Sequence, residues 1–139
     1  MTGRWIAAET LFDGEDCHAD VALCIDDGKI AAMVPLADAP GGIPRLPGLL
    51  APGLVDCQVN GGGGVLLNDA PEALAVVCTA HARLGTTAIM ATLISDRSAR
   101  LYSAARAIRG GYDKGVRGLL GLHLEGPWLS SARRGVHGA

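Results

Sequence analysis

At 139 residues, 49% hydrophobic and 19% charged, the chain has the length and composition of one globular domain and not of a disordered segment. Twelve basic against fourteen acidic residues leave a net charge of −2, no basic stripe is visible and aromatic residues make up only 4%, which argues against nucleic acid as a partner. No uninterrupted apolar run approaches the roughly 20 residues that span a bilayer, and residues 1–5 lack the apolar segment of a secretory signal, so no membrane partner is expected and a cytoplasmic location is the default.

Residues 1–50 read as β structure. Residues 5–12 are strand-like, while 21–25 and 29–34 flank Asp26-Asp27-Gly28, a tight-turn signal that joins them as a hairpin. Residues 38–47, rich in Pro and Gly, read as a loop. This block is too small to bury a core alone and is expected to pack as part of a sheet or sandwich. The character changes at Leu49: residues 49–59 are nearly continuously apolar, broken by Pro52-Gly53, Asp56 and Gln58, and predict a strand buried on both faces. Four glycines follow at 61–64. Asp69 suits an N-cap and Pro71 the first turn of a helix on which Leu74, Val77, Cys78 and His81 recur at helical spacing, ending near Leu84-Gly85.

Residues 86–94 predict a second buried strand. Ser95-Asp96 can cap a helix over 97–109 with Leu101, Ala104, Ala105 and Ile108 on its inner face and Gly110-Gly111 at its end; residues 116–124 predict the third strand, stopped by Gly126 and Pro127. Strand, helix, strand, helix, strand with short connections implies parallel strands with right-handed crossovers. Three strands do not close a (β/α)8 barrel, which takes eight strands and about 250 residues. Residues 51–139 therefore fit a small open α/β domain or the front of a larger barrel. Cys17, Cys24, Cys57 and Cys78 form no C-x-x-C pair and read as reduced thiols used as small apolar residues.

Glu125 stands first among residues that could carry chemistry, because an apolar strand delivers its carboxylate to the strand mouth, where α/β barrels keep metal ligands and acid/base groups. A solvated strand-end carboxylate fits the same spacing. Gln58 and Asn60, two apart, point the same way on a strand and could hold a water or a sugar-like ligand, or satisfy a turn. The glycine run could let backbone approach a ligand or form a turn; it matches neither the P-loop nor the dinucleotide fingerprint. His137, after Arg133-Arg134-Gly135, could hydrogen-bond a substrate while the arginines attract an anion, or could belong to a solvated loop. His123, within the third strand, and His81, on a helix inner face, read as hydrogen-bonded structural histidines. His18 carries no signal.

Three segments share one resemblance: Leu50-Ala51-Pro52-Gly53-Leu54-Val55-Asp56-Cys57-Gln58-Val59-Asn60-Gly61, His81-Ala82-Arg83-Leu84-Gly85-Thr86-Thr87 and His123-Leu124-Glu125-Gly126-Pro127-Trp128. In this order and spacing they resemble the N-acetylglucosamine-6-phosphate deacetylases of the amidohydrolase superfamily, over nearly the whole chain. The resemblance implies an α/β protein, with a β-sandwich portion over 1–50 and the first three strands and two helices of an incomplete, metal-dependent TIM-like (β/α)8 barrel over 51–139. It implies that Glu125 is a metal ligand and that Gln58 lies near the metal or its water. Gln-x-Asn in place of the superfamily's His-x-His favours a single divalent ion, expected to be zinc. His137, with Asn60 beside it, is implied on the substrate side.

The implied reaction is hydrolysis of the N-acetyl group of N-acetylglucosamine 6-phosphate to glucosamine 6-phosphate and acetate. The family's two metal-binding histidines and its acid/base aspartate come later, beyond Ala139, so no catalytic acid/base is expected within the chain and the 139 residues alone are expected to be inactive. The third strand is then an unpaired parallel edge that invites assembly. The expected partner is a small amino-sugar phosphate, with a homo-oligomer for the complete protein. Two other readings stand beside this one: an amidohydrolase acting on a different N-acetylated amino-sugar phosphate, such as the galactosamine epimer, and a non-catalytic truncated product.

Overall fold

The computed structural model describes residues 3–126 and 128–137. The chain divides between Pro52 and Gly53 into two compact units.

The first unit is a five-stranded sheet. Strand β1 (Arg4–Phe12) runs through its middle. On one side it pairs antiparallel with β2 (Cys17–Ala19) and β3 (Val21–Asp26), which keep one continuous register along it and are separated by Asp20 at φ 54°. Strand β4 (Lys29–Pro35) then pairs with β3. The β3–β4 turn is the two residues Asp27-Gly28, both at positive φ (47° and 71°), the type I′ geometry that matches strand twist. On its other side β1 pairs parallel with β5 (Arg45–Leu50). The expected loop over 38–47 is thus shorter than predicted. Pro47 and Gly48 lie inside an edge strand, which tolerates a residue without an N–H, and Glu9 accepts a hydrogen bond from the Gly48 N–H at 2.8 Å. Ala7, Ala8, Leu11, Ala22, Leu23 and Cys24 are the buried apolar residues of this unit.

The predicted strand over 49–59 is two strands. β5 ends at Leu50, Ala51-Pro52-Gly53 breaks the chain, and β6 (Leu54–Val59) opens the second unit. There β6 is one edge of a three-stranded parallel sheet, with β9 (Thr86–Ile94) in the middle and β10 (Leu119–Glu125) at the other edge. The edge position overturns the expectation of burial on both faces. Leu54, Val55, Cys57 and Gln58 are exposed, whereas central β9 buries Ile89, Ala91, Thr92 and Leu93.

The glycine run makes a small hairpin of β7 (Gly61–Gly62) and β8 (Val65–Leu66), turned by Gly63-Gly64. A 3-10 turn over Pro71–Ala73 leads into helix α1 (Leu74–Ala82), which presents Leu74, Val77 and Cys78 to the sheet. Asp69 does not cap α1; its carboxylate accepts from Arg100 at 3.1 Å. Helix α2 spans Ser98–Asp113, longer than predicted. Gly110-Gly111 do not end it, and Gly111 lies against Leu74: a Cβ there would stand 2.8 Å from Leu74 Cδ2. The helix stops one turn later in a Schellman motif, with the Val116 N–H on the Gly111 carbonyl (3.0 Å) and the Gly115 N–H on that of Tyr112 (2.9 Å). Those residues are consequently lost to β10, which starts at Leu119 and not at 116. Pro127, expected to help stop this strand, lies outside the described residues.

One apolar core joins Val59, Leu67, Leu74, Val77, Ile89, Leu93, Ala104, Ile108 and Leu119, and burying each large aliphatic side chain contributes about 1.5–3 kcal/mol. All four cysteines are free. Among the described residues no helix is long and apolar enough to cross a membrane.

Candidate active site

Strand alternation sorts the parallel sheet into an apolar and a polar face. Val59, Ile89, Ala91, Leu93 and Leu119 pack into the core with the helices. Asn60 just past β6 and Thr92 on β9, one step out of phase, belong to the opposite face, and on β10, where an irregularity between Leu119 and Gly121 shifts the alternation, His123 and Glu125 join them, His123 paired with Thr92 and Glu125 with Ile94. Because the strands are parallel, their carboxyl ends come together, and Glu125 is the last residue of β10.

The Glu125 side chain is fixed from two sides. Asn60 Nδ2 donates to Oε2 at 3.5 Å, and His137 Nε2 stands 3.4 Å from Oε1. His137 is buried at 8% exposure, although it lies in the segment after the strand. That segment forms a 3-10 turn over Ser131–Arg133, and the His137 N–H donates to the Arg134 carbonyl at 3.1 Å, which folds the imidazole back to the strand mouth. Arg133 is exposed and Arg134 half-buried.

Ser95 links both parts. Its backbone N–H donates to His137 Nδ1 at 3.2 Å, and its Oγ donates to the Glu125 carbonyl at 3.2 Å. A donor at Nδ1 makes that nitrogen the acceptor, so the neutral ring carries its proton on Nε2, facing the carboxylate. Gly126 completes the corner at φ 95°; a Cβ there would overlap Ser95 Oγ, so the close passage of the backbone requires glycine. Desolvation alone would raise the Glu125 carboxyl. Hydrogen bonds from His137, Asn60 and Gln58 outweigh it, and the carboxyl lies below its ordinary value.

The structure therefore brings Glu125, Asn60 and His137 together, with Gln58 exposed beside them at the end of β6. His81 Nε2 is 3.0 Å from the Gly61 carbonyl, pinning the glycine hairpin to α1, as its structural reading expects. His123 Nδ1 is 3.4 Å from Thr92 Oγ1 and only half-buried. His18 makes a 2.7 Å pair with Asp13 in the first unit. The sequence reading missed three residues. Ser95, expected as a helix cap, is the bridge just described, while Arg97 takes the N-cap position of α2 without a side-chain cap. Asn68 exchanges two hydrogen bonds with the Ile94 backbone (2.9 and 3.0 Å), closing the end of β9 as another strand would. Thr92 is fully buried and hydrogen-bonded at the same level. The Asn68–Ile94, Thr92–Val59 and Ser95–His137 partners are 26 to 42 residues apart in the chain, beyond the reach of local spacing.

No family model matches the chain. An N-acetylgalactosamine-6-phosphate deacetylase of Shewanella sp. (strain ANA-3) is 45% identical over 92 residues, 65% of this chain and 23% of the relative. An N-acetylglucosamine-6-phosphate deacetylase of Haemophilus influenzae is 34% identical over 127 residues, 88% of this chain and 33% of the relative. The crystal structure of N-acetylglucosamine-6-phosphate deacetylase from Pasteurella multocida superposes with a TM-score of 0.89 at 28% identity, covering 97% of this chain and 37% of that one. The chain thus spans between about a quarter and a third of the length of these curated relatives. By sequence and by its α/β fold, the chain matches the N-terminal portion of N-acetylglucosamine- and N-acetylgalactosamine-6-phosphate deacetylases.

Proposed function

We propose that the protein hydrolyses the N-acetyl group of N-acetylglucosamine 6-phosphate, releasing acetate and glucosamine 6-phosphate. The observation that carries this reading is the Glu125 carboxylate at a parallel-strand mouth, held by Asn60 and a buried His137, in a chain that aligns with deacetylases over most of its length. We further propose the three parallel strands as part of a (β/α)8 barrel and the five-stranded sheet as part of a β-sandwich.

The donor chemistry at Glu125 suits a divalent cation. Its carboxyl lies below its ordinary value, its neighbours are the Asn60 amide and the His137 imidazole, and among the described residues it pairs with no lysine or arginine. Glu125 would hold one such ion, proposed to be zinc, which when bound lowers the pKa of water and supplies hydroxide near neutral pH. The other side chains bind and orient. Gln58 and Asn60 offer amide groups beside Glu125, and the Nε2–H of His137 is a donor for a sugar oxygen, its tautomer set by the Ser95 N–H. Among the described residues no group of three His, Cys, Asp or Glu comes together. The 139 residues therefore contribute part of a ligand set, and by themselves are proposed to be inactive.

The galactosamine epimer is a second reading, favoured by the 45% identity to a deacetylase named for that sugar. The test is acetate release by the intact protein, supplied with zinc, from each of the two N-acetylated sugar phosphates. Turnover of the glucosamine compound is expected, with kcat/KM reduced more than about 100-fold by Glu125→Gln, beyond what partners outside a metal's own ligands carry. Turnover of the galactosamine compound alone would select the second reading, and acetate from neither would overturn both.

A further inference from the structure

We propose that Thr92 is a positioning residue: its hydroxyl, with the Asp56 carboxylate, holds a β-bulge that aims the Gln58–Asn60 amide pair at Glu125. The proposal rests on the function proposed above for that pair.

The bulge is visible in the register. Asp56 pairs with Ile89 and Val59 pairs with Ala91, so three steps along β6 match two along β9. One extra residue is accommodated, and Cys57 and Gln58 together stand opposite Met90. An extra residue reverses the alternation. Asp56 is paired with a core-facing residue and so is Val59; without the bulge, Val59 would fall on the face opposite to Asp56, and Asn60 would turn towards the helices. The bulge lets Val59 stay in the core, at 3% exposure, while Asn60 reaches Glu125.

Such a defect leaves backbone donors without ladder partners, and two side chains take them. Asp56 Oδ1 accepts from the Gln58 N–H at 3.0 Å. Thr92 Oγ1 accepts from the buried Val59 N–H at 3.0 Å and lies 3.1 Å from the Met90 carbonyl, to which it can donate. The hydroxyl therefore ties the two strands together where the ladder is interrupted. Thr92 itself is fully buried. A buried N–H is costly to leave unpaired, so a side chain of the same shape without the hydroxyl would favour a slipped strand.

The decisive comparison is Thr92→Val against Thr92→Ser in the intact, metal-free protein, read by Val59 amide exchange and by the side-chain signals of selectively 15N-labelled asparagine. Within these 139 residues the asparagines are Asn60 and Asn68. Thr92→Val should speed Val59 exchange about tenfold, the effect of losing one hydrogen bond, and shift the Asn60 signal. Thr92→Ser, which keeps the oxygen, should leave both near wild type. Asp56→Ala, at a half-buried position, provides the second variant if Thr92→Val does not fold, and should shift the Asn60 signal too. In the deacetylation assay Thr92→Val should lower kcat/KM about tenfold more than Thr92→Ser does, whichever has the lower Tm. An unmoved Asn60 signal in Thr92→Val, or in Asp56→Ala where Thr92→Val does not fold, would overturn the proposal, as would equal losses in Val and Ser. A wild type without deacetylase activity would overturn the functional reading, while the amide measurements would still decide whether Thr92 holds the bulge.

Discussion

Two carboxylates in this chain sit below their ordinary values for different reasons. Glu125 is lowered against a desolvation penalty by an imidazole and two side-chain amides. Asp13 is lowered to about 2, from an ordinary 3.8, first by the backbone N–H groups of Asp16 and Glu15, both 2.9 Å from its Oδ1, and then by the His18 side chain. Asp13 closes the β1–β2 turn: its own N–H donates back to the Asp16 carbonyl at 3.1 Å. The sign follows from the direction. A carboxyl with a depressed folded pKa adds stability above its unfolded value of 3.8, and that contribution is lost as pH falls through about 2. The turn is therefore expected to hold at pH 4 and to open as pH falls towards 2. Side-chain 13C titration of Asp13 should give a midpoint near 2, and a midpoint near 3.8 would show that the turn hydrogen bonds do not persist in solution.

Among the elements, α2 shows how a glycine can signal the opposite of what its type suggests. Gly110-Gly111 reads as a stop, yet the helix runs through both, and Gly111 is a contact point, with Leu74 Cδ2 2.8 Å from where a Cβ would be. Gly111→Ala raises helix propensity by about 1 kcal/mol, but overpacking against a buried leucine costs about 1–3 kcal/mol. Net destabilisation is expected, whereas Gly110→Ala, where a Cβ meets nothing within 4 Å, should stabilise. Urea unfolding of both variants checks this, and a Gly111→Ala as stable as Gly110→Ala would remove the contact argument. The same distinction governs what was legible in the sequence. Strand β9 matches its predicted bounds because a run of apolar β-formers in a central strand has one stable placement. The turn at Asp27-Gly28 and the inner faces of α1 and α2 were readable from local chemistry. The break at Ala51-Pro52-Gly53, the edge exposure of β6 and the bulge opposite Met90 depend on what lies beside the strand, which hydropathy does not record. At the site, Glu125 and the Gln58–Asn60 pair were visible as polar residues at apolar strand ends. Ser95 and Thr92 were not, because their roles depend on partners brought in by the fold.

At the scale of the molecule, the described residues leave apolar side chains uncovered on the sheet edges. Both outer strands of the parallel sheet, β6 and β10, pair on one side only among the described residues, and Leu54, Val55, Leu120 and Leu124 on them are exposed. The first unit carries a separate cleft of about 360 Å³ lined by Leu11, Leu23, Ile25, Ile30, Met33 and Leu50. Unpaired strand edges flanked by apolar side chains are templates for pairing with further strands, and exposed apolar patches add a driving force of about 25 cal/mol per Å² buried. A polypeptide of these 139 residues alone is thus expected to associate. Sedimentation at increasing concentration should show a mass well above the 14.2 kDa of one chain, with ANS fluorescence raised by the uncovered faces. A charge placed on the outer edge, such as Val55→Lys, should reduce association without unfolding the core, since Val55 is 58% exposed. A monodisperse 14.2 kDa species that unfolds cooperatively and binds no ANS would mean that the sheet edges are shielded without further strands, and the barrel proposed for this sheet would lose its main physical support.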